Sequence, residues 1–258
     1  MNIVVCMKQV PDTYSERKLR PDSTLDRAAA DGVINELDEY AIEEGLRLAE
    51  AHGGEVTILS MGPDRATESI RKALSMGADK AVHLVDDALA GSDALASSAA
   101  LAAVLGRIGF DIVILGSEST DARMGVMAAM LSERLGVPQM SYASQVEIDG
   151  TAISINRQAD YGYDRVQGSL PAVISVVEKI NEPRYPSFKG IMAAKKKPVE
   201  TLSLADIGID PGQVGLASAA TEVVSFADRP PRQAGTVVKD DGDGGAKAAE
   251  FLAAQKFI

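Results

Sequence analysis

Short uninterrupted apolar runs alternate, through the first half of the chain, with longer segments whose apolar residues recur every three to four positions. Asn2–Met7, Val56–Met61, Ala81–Val85 and Ile112–Leu115 are the runs, and each reads as a strand covered on both faces. The segments between them read as amphipathic helices. One starts from a cap at Asn35 or Asp38, places Tyr40–Ala41, Glu44–Gly45, Leu48 and Ala49 at helical spacing and stops at Gly53–Gly54. A second, Arg65–Met76, turns Ala66, Ile70, Ala73 and Leu74 inward and ends at Gly77 in a left-handed cap. A third, rich in alanine, runs from Ser92 or Asp93 to Ile108. A fourth carries Met124, Met127, Ala128 and Leu131 on one face.

This β-α-β-α-β-α-β-α order predicts an α/β fold, a doubly wound and mostly parallel sheet with helices on both sides. Ligands of such sheets sit beyond the carboxyl ends of the strands, where the winding reverses. The tips there are Cys6–Gln9, Met61–Pro63 and Gly116–Asp121, with Asn35 nearby. After Gly116 come Ser117, Glu118, Ser119, Thr120 and Asp121, then the start of the fourth helix. A strand, a polar turn and a helix start aim free amides and hydroxyls at one point, which suits a nucleotide phosphate. The same layout occurs in α/β proteins that bind nothing there, and neither a Walker-type Gly-Lys-Ser/Thr nor a G-x-G-x-x-G is present.

Beyond Pro138 the pattern changes. Ala143–Ile148 and Ala152–Arg157 alternate around Asp149–Gly150 as a hairpin, and Val166–Leu170 and Ala172–Val177 add two strands. This half reads as an antiparallel extension of the sheet, in one domain spanning residues 1–220. Residues 221–258 read as a Pro-, Gly- and Asp-rich arm with a short helix, Ala246–Ala254, whose apolar contacts are Phe251 and Leu252. Lys8–Asp31 is a long polar connection without evident structure, a length that is often functional.

The 258 residues carry a formal charge of −11, which argues against nucleic acid as partner. The single Cys6 excludes internal disulfides and cysteine-rich metal sites, and no apolar run approaches the ~18 residues of a membrane span. The N-terminus reads as the first strand rather than a leader. Together these predict a cytoplasmic protein. His52 and His83 have no partner by spacing. Cys6 reads as a buried thiol, and Asp12, Glu16, Asp121 and Asp160 read as isolated, solvated carboxylates. No metal cluster and no catalytic dyad emerges, which suits a carrier whose chemistry belongs to a bound cofactor. Asn181–Lys197 interleaves Tyr185, Phe188, Ile191 and Met192 with basic residues in an acidic chain. It reads equally as a proline-stiffened docking element and as an ordinary connection.

The whole chain resembles the β subunit of electron transfer flavoprotein, in its bacterial FixA-type branch. VCMKQVPD (Val5–Asp12), NELDEYAIEE (Asn35–Glu44), IRKALSMGADKAVHL (Ile70–Leu84), ILGSESTD (Ile114–Asp121) and LPAVISVVEKINEPRYPSFKGIMAAKKKP (Leu170–Pro198) carry the resemblance. The family signature falls on Arg157, Asp160 and Pro171–Ser175, with Tyr161 and Asp164 departing from it on a surface strand.

The resemblance implies an adenine nucleotide alpha hydrolase-like sheet and a heterodimer with an α subunit, on which the arm packs. It implies FAD held mainly by that α subunit and AMP bound structurally in this one, or a second FAD as in bifurcating relatives. A stand-alone nucleotide-binding regulator is the rival from another class. Matched position by position, the nucleotide site comprises Cys6, Asn35, Glu36, Leu37, Asp38, Met61, Gly116, Ser117, Glu118, Ser119, Thr120, Asp121, Ala122, Arg123, Met124, Gly125, Val126 and Met127. Arg123 faces a phosphate or solvent. The docking loop for acyl-CoA or other dehydrogenases comprises Arg184, Tyr185, Pro186, Ser187, Phe188, Lys189, Gly190, Ile191, Met192 and Ala193, with Phe188 where a leucine anchor is usual and Lys195–Lys197 closing it. Thr13 or Tyr14 lies nearest the flavin, and electrons pass on to a quinone reductase or another acceptor. No catalytic residue, no nucleic acid and no membrane insertion are implied.

Overall fold

The computed structural model describes residues 1–258 apart from 228, 233 and 236. It divides into two units, Met1–Glu222 and Val223–Ile258. The first is built on a nine-stranded sheet. In chain order its strands are β1 (Asn2–Cys6), β4 (Glu55–Met61), β5 (Lys80–Leu84), β6 (Ile112–Gly116), β7 (Gln139–Asp149), β8 (Ala152–Ala159), β9 (Gly162–Ser169), β10 (Ala172–Val176) and β11 (Val199–Leu202). A separate ribbon pairs β2 (Gln9–Pro11) with β3 (Gly32–Ile34) antiparallel. The spatial order is β11-β5-β4-β1-β6-β10-β7-β8-β9.

The helices are α1 (Glu36–His52), α2 (Thr67–Met76), α3 (Ala94–Ile108), α4 (Met127–Leu135) and α5 (Phe188–Ala194). Strand alternation sends Ile3, Val5 and Ile58 to one face, against Ile42, Leu46, Ile70 and Leu74 of α1 and α2. Val4, Cys6 and Leu59 go to the other, against Leu101, Leu105 and Leu131 of α3 and α4. Both faces are dry, as the apolar runs require.

The doubly wound class stands, with corrections in detail. β10 is parallel to both β6 and β7, inside the parallel part of the sheet. It follows two hairpin strands in the sequence, but its five residues are all buried, which only a central slot provides. The antiparallel extension is therefore β8 and β9 alone. β11 was not expected; Val199–Leu202 is short and half exposed, as an edge strand is, and it pairs parallel with β5. The connection after β1 is not structureless, because the buried Val10 and Ile34 hold its two ends together as the β2–β3 ribbon.

The fourth helix starts only at Met127, so Met124 precedes it and is 55% exposed. Gly77 closes α2 at φ 149° and ψ −24°, outside the left-handed helical region, with Leu46 packed where a side chain would stand. In the second unit, α6 (Gly244–Ala254) is preceded by Asp240, whose Oδ1 accepts from the Gly242 and Gly244 amides; Phe251 and Leu252 stay exposed there rather than packed. Among the described residues, no helix is long and apolar enough to cross a membrane.

Candidate functional site

The winding reverses between β1 and β6: α1 and β4 lead off to one side of β1, while β6 lies on the other. The start of α1 is wedged into the crevice at their carboxyl ends. Asp38, 5% exposed, ties the two strand tips together. Its Oδ2 accepts from the Lys8 amide (2.8 Å) and its Oδ1 from the Gly116 amide (3.1 Å). Burial pushes its carboxyl up to about 6 against the pull of those hydrogen bonds. Gly116 is required for this approach, since a Cβ there would lie 2.7 Å from Asp38 Oδ1 and from Leu37 Cβ, and 2.8 Å from the Leu37 carbonyl carbon.

Asn35 is at the α1 N-cap position but does not cap it. Its Nδ2 donates to the Glu118 carbonyl (2.9 Å) and its Oδ1 accepts from the Thr120 amide (2.9 Å), so one side chain pins the turn after β6. Cys6, at the β1 tip, is 8% exposed, and burial followed by the nearby Asp38 charge pushes its thiol up to about 12. That is an inert, packed thiol. Met61 ends β4, two strands from Gly116.

The turn from Ser117 to Val126 is only partly self-satisfied. The Ser117 amide goes to the Val176 carbonyl and the Arg123 amide to the Ser119 carbonyl. Val126 gives α4 no side-chain cap, which leaves its first-turn amides open. The Thr120 Oγ1 is buried with no hydrogen-bond partner, as is Ser60 Oγ on β4. Arg123 sits at φ 50° with its side chain 68% exposed and 3.6 Å from Glu118 Oε1, so it faces solvent and a carboxylate. Ala122 is also exposed, and Gly125 lies under the Tyr142 hydroxyl.

Asp121 is not an isolated, solvated carboxylate. Its side chain is 1% exposed, with Lys8 Nζ at 2.8 Å and Arg27 Nη2 at 2.6 Å. Burial by itself would raise its pKa, but the Lys8 charge and hydrogen bond, then Arg27, hold it at about 2. The pair fastens both the β1 tip and the long connection to the turn. Sequence reasoning placed Lys8 within the Cys6–Gln9 tip without foreseeing its pairing with Asp121, and it missed Arg27, which lies 94 residues from its partner and carries no local signal. Because the folded carboxyl is depressed, its contribution is present above pH 4 and is lost as pH falls towards 2. Asp121→Asn is expected to cost about 1–2 kcal/mol at pH 7, discounted for the partly exposed cations. Urea titration of the two proteins should show that gap narrowing between pH 4 and 3; a gap independent of pH would show that the ion pairs are not its source.

The loop residues behave unlike one another. Arg184 is tied down within the chain: Nε and Nη2 grip Glu43 at 2.7 and 3.0 Å while Nη1 reaches Glu50 at 2.6 Å. Glu43, then Glu50, hold its proton more firmly than usual. Lys197 is half-buried and donates to the carbonyls of Leu74, Gly77 and Ala78 at the end of α2. Arg71 in turn donates to the Ala194 and Lys197 carbonyls, both at 2.7 Å. Between these clamps, Ser187 caps α5 through the Gly190 amide, and Gly190 packs on the Ser75 carbonyl. Tyr185 (93%), Phe188 (81%), Ile191 and Met192 stand exposed; Pro186 is half-buried, and Lys189 and Ala193 are open to solvent.

Tyr14 is almost wholly exposed, His52 is exposed, and His83 is buried within β5 against the Gly62 carbonyl. Tyr161 donates to Asp164 at 2.5 Å, so the two signature departures pair with each other. A cavity of about 420 Å³ is lined by Gln9, Ser15, residues 28–32, Arg65 and Glu68, and none of the expected nucleotide residues lines it. Among the described residues, no group of three or more His, Cys, Asp or Glu side chains suits a metal ion.

Residues 22–207 match the family profile described as the electron transfer flavoprotein domain. The chain is 53% identical, over 100% of its length and 99% of the relative's, to the electron transfer flavoprotein subunit beta of Mycobacterium tuberculosis (strain ATCC 25618 / H37Rv). It is 35% identical, over the whole of both chains, to the subunit of the same name from Megasphaera elsdenii. It is 34% identical, over 92% of each, to the caffeyl-CoA reductase-Etf complex subunit CarD of Acetobacterium woodii.

Proposed function

The chain belongs to the electron transfer flavoprotein family as a β subunit, and on that premise we propose that it pairs with an α subunit and holds AMP at the open end of its sheet. The family is one of electron carriers, and membership sets aside the stand-alone regulator. What supports the nucleotide reading most is the turn after β6. The segment after the carboxyl end of β6 carries both the buried, unpartnered Thr120 hydroxyl and the uncapped start of α4, and an anionic phosphate satisfies such a helix start. Asn35 and Asp38 hold that turn in place from α1. AMP held there contributes to assembly rather than to electron flow.

FAD, bound mainly by the α subunit, supplies the reversible uptake of electrons. This chain's own residues position and dock. Thr13 or Tyr14, on the connection after β1, would lie nearest the flavin, and the α5 face receives acyl-CoA or other dehydrogenases, with electrons leaving to a quinone reductase or similar acceptor in the cytoplasm. The second unit packs on the α subunit, which accounts for its exposed Val224, Phe226, Val237 and Phe257. Co-expression with the α subunit encoded by the same organism tests the reading. It predicts a yellow heterodimer whose flavin an acyl-CoA dehydrogenase reduces; a homodimer that excludes the α subunit contradicts it.

A further inference from the structure

Residues 12–31, beyond the β2–β3 ribbon, form a finger with a framework of its own. At its base the Asp12 amide donates to the Asp31 carbonyl at 2.9 Å. Farther out, the Arg20 amide donates to the Thr24 carbonyl and the Asp26 amide to the Lys18 carbonyl, both at 2.8 Å. Leu19 bridges Leu25, and Ser23 turns the chain at φ 63°. No residue of the finger is buried. Among the described residues, one polar contact joins it to the rest of the fold: Arg27 Nη2 donates to Asp121 Oδ2 at 2.6 Å. The finger's other hydrogen bonds and ion pairs stay within it.

That tether ends in the turn after β6. Asp121 follows Thr120, whose amide Asn35 holds, and its second oxygen takes Lys8 Nζ at 2.8 Å. A carboxylate 1% exposed and gripped from two sides moves only with its turn. Resting on the nucleotide reading above, we infer that Arg27 and Asp121 form a latch coupling the nucleotide turn to the finger. A phosphate that steadies the turn steadies Asp121 and, through it, the finger; an empty turn lets the finger swing free. Thr13 and Tyr14 sit on the finger, so the latch also positions the residues set nearest the flavin. Coupling is reciprocal: release of the finger weakens nucleotide binding by the factor with which the nucleotide steadies the finger. The sharing of Asp121 between two cations separates the latch from the fold. With Arg27 gone, Lys8 still pairs the buried carboxylate, and no orphan charge is left inside.

Trypsin provides the test, because Arg17 and Lys18 are exposed on the finger while Arg71 lies in α2 and is cut only when the whole unit opens. The full-length chain is stripped of ligand, then loaded with AMP, and cleavage at each site is followed by mass spectrometry. AMP should slow cutting at Arg17 and Lys18 about fivefold. Arg27→Gln should be cut there about tenfold faster than the wild type, without response to AMP, and should bind AMP about fivefold more weakly. Its melting temperature and its cutting at Arg71 should not change. Arg27→Lys should restore most of the protection. Asp121→Asn should abolish the protection by AMP as Arg27→Gln does; protection that survives it would mean that Arg27 meets the phosphate itself, which overturns the latch. Bound AMP that leaves cutting of the wild type unaltered, or Arg27→Gln cut no faster than the wild type, overturns the inference while the nucleotide reading stands. AMP that does not bind the wild type fells the nucleotide reading and the inference with it.

Discussion

Gly116→Val is expected to be the most damaging single change in the chain. The first side-chain carbon would stand 2.7 Å from Leu37 Cβ and Asp38 Oδ1 and 2.8 Å from the Leu37 carbonyl carbon, so backbone as well as side chain has to move. α1 cannot retreat freely, because Asp38 holds the amides of Lys8 and Gly116, and Ile42 and Leu46 are sunk in the core. Overpacking of this kind costs about 3 kcal/mol or more. In a domain of this size that corresponds to a melting temperature lower by roughly 6–12 °C. The loss arises in the fold, before any ligand is considered, so it should appear in the isolated chain. Gly106→Ala is the matched control: it lies in α3 with nothing near its missing Cβ and should be neutral or stabilising by about 0.5–1 kcal/mol. Equal melting temperatures for Gly116→Val and the wild type would refute the close approach of α1 to β6.

Phe188→Ala is expected to have the largest effect on function with the least on stability. The ring is 81% exposed on a segment pinned at both ends, so its removal opens no cavity and melting should not change. A pre-positioned aromatic loses little entropy on docking and is the side-chain type that dominates interface energies. Truncation should cost about 2 kcal/mol or more in the complex with a dehydrogenase, which is roughly 30-fold in the second-order rate of flavin reduction, with flavin content intact. Ile191 and Met192, at 46% and 50% exposure, are expected to matter less. Unchanged reduction by every dehydrogenase tested would remove the docking role from α5.

The sequence made the sheet legible because burial on both faces favours apolar residues, so β1, β4, β5 and β6 each appear as a mainly apolar run, broken only by a few polar side chains such as Thr57, Ser60 and His83. Its limits are equally physical. β10 shows the same all-buried run but sits next to hairpin strands in the sequence, and pairing partners are a long-range property that local pattern does not encode. β11 carries Glu200 and Thr201 because an edge needs only one covered face. At the site, strand ends and glycines point to the crevice between β1 and β6, and the structure brings Gly116, Asn35 and Asp38 together there, since topology sets the strand tips. The side-chain roles were hidden. Asn35 looks like a helix cap and instead pins a turn more than 80 residues away; Asp121 looks solvated and is enclosed by two cations; Arg184 and Lys197 look like free charges and are bound within the chain, one by carboxylates and the other by carbonyls. Each of these depends on a partner from another part of the chain.

The central claim is that the crevice between β1 and β6 holds an adenine mononucleotide while the flavin belongs to the α subunit. The most direct measurement is to purify the heterodimer, release its ligands with acid and count adenylate and flavin per pair of chains. One AMP and one FAD are predicted; two FAD and no AMP, or one FAD with neither nucleotide in this chain, would contradict it.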